Sequence, residues 1–245
     1  MTNHIKHILH LADNALILGH RNSEWCGHGP VLEQDIALTN ISLDLIGQAR
    51  SFYQHAAILL GEKDYNEDKL AYFRDAHEFL NCLMVEQPNE EDWGLTVLRQ
   101  FFVSNYQYHL YQQLQHHSDE QGAAICTKAL KEVTYHLRWS SEWVIRLGDG
   151  TEESNARMIN ALQQLSAYTK ELITPADYET GFINFGLLQE QWHQKTMAVL
   201  AEATLIMPAN EEQQAGGKSG NHTMHLTDIL AVMQTLPRTH PAAIW

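Results

Sequence analysis

Helix breakers are absent from long runs of this chain and gathered between them. From Val31 to Leu60 there is no proline and a single glycine, Gly47, while Pro30 and Gly61 stand at the two edges. Proline lacks the amide hydrogen a helix needs and glycine costs backbone entropy, so runs free of both are where long helices form. Apolar residues in this run recur at the helical period: Leu38, Ile41, Leu45, Ala49, Phe52, Ala56 and Leu59 share one side. No stretch alternates with period two for long enough to make a strand. The same reading along the chain predicts helices over roughly 5–20, 31–60, 67–86, 92–117, 119–147, 152–172, 184–206 and 223–236, and hence an all-α helical bundle.

The expected helix ends have local causes. Gly61 suits a left-handed C-terminal residue, Gly148-Asp149-Gly150 closes the fifth helix, and Pro88 and Pro208 block continuation of the third and seventh. Asn66, Ser118 or Asp119, and Thr151 are N-cap types followed by acidic residues. A chain of 245 residues can bury one large core, so a single domain over 1–245 is expected, with the low-complexity stretch Ala209 to Asn221 as a flexible loop.

Charge excludes some functions. Lys+Arg number 16 against Asp+Glu 30, which repels nucleic acid and anionic membranes. Cys26, Cys82 and Cys126 are widely spaced with no C-x-x-C pair, as in a protein of the reducing cytoplasm. Histidine, lysine and aspartate interrupt the apolar positions of the N-terminus, which reads as a soluble helix and not as a signal or membrane span.

Several patterns could carry chemistry. On the second helix Asn40, Asp44, Gln48, Ser51 and His55 form a polar stripe, which periodicity alone assigns to a solvated face. In KEVTYHLRWSSEW, Glu132 and His136 lie one turn apart, too few ligands for a stable metal site and expected to touch each other within the helix. A di-iron carboxylate bundle needs a pair of E-x-x-H motifs, each placing a carboxylate and an imidazole on one face, and the chain is expected to hold none. GGKSG resembles the end of a phosphate-binding loop, but Glu212 stands where the first glycine belongs, leaving Lys218 as a phosphate or partner contact. His222 and His225, and His4, His7 and His10, read as surface histidines. Cys26 is expected in a loop that packs Trp25 on the bundle, and no G-x-S-x-G elbow is present. The aromatic-rich fourth helix, with Phe101, Phe102, Tyr106, Tyr108 and Tyr111, could supply core or interface.

Four segments carry a resemblance: SEWCGHGPVLEQDIALTNISLDLIGQAR, LMVEQPN, KEVTYHLRWSSEWVIRLGDGT and GGKSGNHTMHL. Together they resemble the structural, non-catalytic subunits of bacterial phenylacetyl-CoA epoxidases, the multicomponent monooxygenases of aerobic phenylacetate catabolism. The resemblance implies a ferritin-like helical bundle with additional helices and no cofactor or metal of its own. It further implies a homologous partner subunit that is catalytic and holds a di-iron centre, with a reductase and small accessory subunits completing a cytoplasmic heteromer.

Aligned with the catalytic relatives, one E-x-x-H motif falls on Leu45 and Gln48 and the other on Val133 and His136. The remaining two carboxylate positions fall near Asn14 and Asn105. The resemblance therefore implies a vacated metal site in which only His136 keeps a ligand type, with Asp44 and Glu132 as residual polar neighbours. Leucine and valine cannot coordinate, and amides are weak ligands for hard cations. Two competing functions stay open: a ferritin-like oxidase using its own rearranged metal site, and an accessory module binding acyl-CoA through Lys218.

Overall fold

A computed structural model describes residues 1–209, 212–241 and 243. Its long helices are α1 (Asn3–Ser23), α2 (Leu32–Leu60), α5 (Trp93–Leu114), α6 (Glu120–Gly148) and α9 (Phe185–Glu202). Shorter ones are α3 (Glu67–Tyr72), α4 (Leu83–Glu86), α7 (Glu152–Leu165), α8 (Thr169–Ile173) and α10 (Met224–Thr239). Among the described residues the extended pairing is limited to one isolated bridge between Thr180 and Ile183. The chain is an all-α bundle of the ferritin-like type.

Hydrogen bonds at the ends explain most boundaries. Asn66, Asp119 and Thr151 cap α3, α6 and α7 with their side-chain oxygens, satisfying first-turn amides that have no helical partner. Gly61 ends α2 in the left-handed region, at φ 69°. Pro208 is not a stop, because α9 already ends at Glu202 and the turn is made at Thr204, whose φ is 57°.

Two predicted helices are broken by tertiary contacts. The span 67–86 is α-helical only at its ends, with a single tighter turn at Ala76–Glu78 between them. Between them Asp13 of α1 takes the amide of Leu80 at 2.8 Å and pairs with Arg74, and Asn14 takes the amide of Cys82 at 2.9 Å. Those backbone groups bond to α1 instead of to their own helix. The span 152–172 is interrupted by a tighter turn over 166–168.

The frame is built from two antiparallel pairs. α1 lies along α2, with Asp13 accepting from the Tyr53 hydroxyl at 2.6 Å and Gly19 against Leu45. α5 lies along α6, where Trp93 meets Trp139 and Trp143 edge to face. The aromatic run of α5 is core: Phe101, Phe102, Tyr106 and Tyr111 are buried, and Phe102 packs on Trp192 of α9. Cys26 is exposed beside Trp25, whose indole N–H donates to Thr96 at 2.8 Å, as the sequence suggests.

Candidate functional site

The two pairs meet where α2 faces α6, and this seam holds the positions singled out in the sequence. Three residues of the polar stripe of α2 meet α6 instead of water, while Asn40 is exposed and Ser51 bonds back to the Gly47 carbonyl of its own helix. Asp44 Oδ2 lies 3.0 Å from His136 Nε2, Gln48 donates to Glu132 Oε2 at 2.9 Å, and His55 Nε2 lies 2.7 Å from Asp119 Oδ2. These pairs cross in antiparallel register from Asp44 at one end to His55 at the other. Glu132 and His136 do not pair within α6, since each is taken by a partner on α2 one turn away.

Leu45 and Val133 sit behind these pairs and are fully buried. Asp44 and Glu132 lie toward the rim, with side chains 38% and 24% exposed, so the seam is polar outside and apolar inside. The other two aligned positions serve different elements. Asn14 donates to the carbonyl of His10 at 2.8 Å and accepts from Cys82, while Asn105 donates to the carbonyl of Trp192 at 2.9 Å and to Thr196 at 3.0 Å.

The structure thus brings Leu45, Gln48, Val133 and His136 together and spends Asn14 and Asn105 on backbone. This donor set does not fit a pair of iron ions. The aligned positions offer one imidazole and neutral amides, and the neighbouring carboxylates Asp44 and Glu132 are each paired at the rim, so no bridging carboxylate is provided. The expectation of no E-x-x-H is corrected by one run, Glu190-Gln191-Trp192-His193, which is a single motif and not the pair. Both its Glu190 and its His193 are exposed on α9.

Buried charge lies elsewhere, and no spacing in the sequence announces it. Glu86, Glu171 and Glu179 are buried, and each ties a segment distant in sequence to the bundle. Glu86 accepts from Asn81, from His222 and from the amide and hydroxyl of Thr223. Glu171 accepts the amides of Leu83 at 2.6 Å and Gly216 at 2.8 Å. Glu179 receives the Lys218 ammonium at 2.9 Å, and Lys218 also donates to the carbonyl of Thr174.

These contacts correct three expectations. Lys218 is buried and ion-paired, with no free ammonium for phosphate. The described part of 209–221 is docked from Gln213 onward, and a Cβ on Gly217 would come within 2.3 Å of the Asn81 carbonyl, so only glycine fits that approach. Asn210 and Glu211 of that loop lie outside the described residues. His7 and His10 are buried, and the His222 side chain is turned inward and 4% exposed, so none of the three is a surface group.

Environment shifts their protonation. Burial holds the His7 imidazole down to about 3. Burial also lowers His10, which donates from Nδ1 to the Leu80 carbonyl at 2.7 Å and accepts from the Tyr106 hydroxyl at 3.1 Å. For Glu179 burial opposes ionisation, but His10 and Lys218 outweigh it and the carboxyl lies below its ordinary range. For His222 burial is outweighed by the bond to Glu86, and its value is raised.

Fold and seam together define a ferritin-like helical-bundle protein whose central helix faces are packed with apolar and amide side chains. Over residues 1–245 the chain matches the family described as phenylacetic acid catabolic protein, and it belongs to that family. It is 44% identical over 243 residues to one of the subunits of the 1,2-phenylacetyl-CoA epoxidase of Escherichia coli (strain K12), covering 97% of each chain.

Proposed function

We propose that this chain is the structural, non-catalytic subunit of a phenylacetyl-CoA epoxidase, a cytoplasmic multicomponent monooxygenase of phenylacetate catabolism. The observation that carries the proposal is the seam between α2 and α6. Its interior is filled by Leu45 and Val133, and its two carboxylates, Asp44 and Glu132, are taken up by His136 and Gln48. The di-iron centre and the oxygen chemistry belong to a homologous catalytic partner, which a reductase and small accessory subunits serve.

In this reading the chain supplies a rigid, inert surface. α2 presents Leu32, Ile36, Leu43 and Ile58 to solvent on one face, each more than half exposed, with Gly47 in the same row. Apolar side chains at i, i+4 and i+7 spacing make a face fit to pack on a partner helix. The acyl-CoA reading finds no support at Lys218, whose charge is already neutralised by Glu179. Among the described residues no helix is long and apolar enough to cross a membrane.

The test is iron and manganese content of the untagged chain after expression in iron-supplemented medium, alone and co-expressed with its proposed partner. Both metals are expected well below one per chain alone, and in the co-purified complex they follow the partner. About two iron ions on the isolated chain, the loading of a di-iron carboxylate bundle, would overturn the proposal.

A further inference from the structure

At the end of the bundle away from Leu45, three helices bring two imidazoles and a carboxylate to one point. His4 opens α1, His55 lies near the end of α2, and Asp119 is the N-cap of α6. Asp119 spends Oδ1 on the amide of Gly122 at 3.1 Å, which fixes the carboxylate and leaves Oδ2 to meet His4 Nε2 at 2.8 Å and His55 Nε2 at 2.7 Å. Among the described residues these three form the group whose ligand atoms all lie within 4.8 Å of one another. We propose that His4, His55 and Asp119 form a binding site for a divalent transition ion of the zinc type, clipping the start of α1 to the end of α2 and the start of α6.

The chemistry of the donors selects the ion. Two imidazole nitrogens and one carboxylate oxygen suit borderline ions such as Zn2+ and suit calcium or magnesium poorly, since those favour all-oxygen shells. Metal bonds of about 2.0–2.2 Å at tetrahedral angles place ligand atoms roughly 3.3 Å apart. The present separations of 2.7 and 2.8 Å therefore open by about half an ångström, which His4, in the first turn of α1 and one-third exposed, can accommodate. The exposed side at His4 leaves a fourth position for water.

The surroundings are histidine-rich and incompletely satisfied. His55 is buried, and its Nδ1 has no hydrogen-bond partner in the protein. His7, one turn along α1, is buried with both ring nitrogens unpartnered and stacks on Phe182 at 4.5 Å. His117 stacks on the same ring, and its Nδ1 accepts the amide of Asp119 at 3.1 Å, orienting the loop that carries the carboxylate.

The experiment is titration of the full, untagged chain with Zn2+ against a chromophoric chelator, repeated on variants. One Zn2+ per chain is expected, with a rise in melting temperature on binding. Asp119→Asn keeps the cap and removes the charge, His55→Gln removes a buried ligand, and His4→Gln removes a partly exposed one. Each is expected to weaken binding by more than the ~10–100-fold that follows loss of an outer-shell partner, and to abolish the zinc-dependent rise in melting temperature. His193→Gln, on the exposed face of α9, is expected to leave binding unchanged. Absence of zinc uptake, or uptake equal in wild type and all three site variants, would overturn the proposal by showing only adventitious binding to other histidines.

Discussion

Leu45 shows how one side chain can decide whether a helix face holds metal. It is fully buried, and Gly19 of α1 approaches its Cβ so closely that a methyl group there would lie 3.3 Å away. A carboxylate placed there is taken out of water at a position that now makes apolar contact with α1. Burying an unpaired polar group costs about 2–7 kcal/mol, so Leu45→Glu is expected to destabilise the isolated chain by at least about 3 kcal/mol. Chemical denaturation measures it. A variant as stable as wild type would mean that water or a counter-charge reaches the seam, and the apolar-filling argument would fall with it.

At the scale of elements, α2 is a helix with three duties. One side packs on α1 through Leu45, Ile46 and Tyr53, a second meets α6 through Asp44, Gln48 and His55, and a third carries Leu32, Ile36, Leu43 and Ile58 into solvent. The third face is the one to perturb if α2 docks a partner. Leu43→Glu combined with Ile58→Glu is expected to leave the melting temperature of the isolated chain within a few degrees, because neither residue is in the core. Affinity for the proposed catalytic partner is expected to fall by about 2 kcal/mol or more, the scale of a central interface anchor. Unchanged co-purification would move the interface to another face.

For the molecule as a whole, buried ionisable groups link stability to pH. The unfolded chain protonates His7 at its ordinary value of 6.5, whereas the folded chain resists until about 3. In that window the unfolded state binds one more proton, so stability is full above the upper value and falls as pH drops, by about 2 kcal/mol at pH 5. Glu179, with a lowered value, acts in the same direction but below 4.5. His222 acts oppositely: its raised value adds stability below 6.5 that is lost as pH climbs through the folded value. His7→Phe, which keeps the stacking on Phe182, is expected to lose about 2 kcal/mol less than wild type between pH 7 and pH 5. Parallel stability profiles for the two proteins would show that His7 is hydrated in solution.

The sequence by itself determined the helical architecture, because breaker placement, capping residues and a 3.6-residue period are local signals. α1, α2, α5, α6 and α9 stand near the spans it predicts, and Asn66, Gly61, Asp119 and Thr151 act where their chemistry says. It could also name Leu45, Gln48, Val133 and His136 through family resemblance. It could not say which face of α2 a polar stripe occupies, since a stripe matched by a second helix and a stripe facing water have the same period. Only the tertiary structure decided that Asp44, Gln48 and His55 meet α6, that Asp13 and Asn14 break the helix expected over 67–86, and that Lys218 is an internal cation. The reason is common to all three: each depends on a charge or amide tens of residues away in the chain, and burial makes that distant partner obligatory.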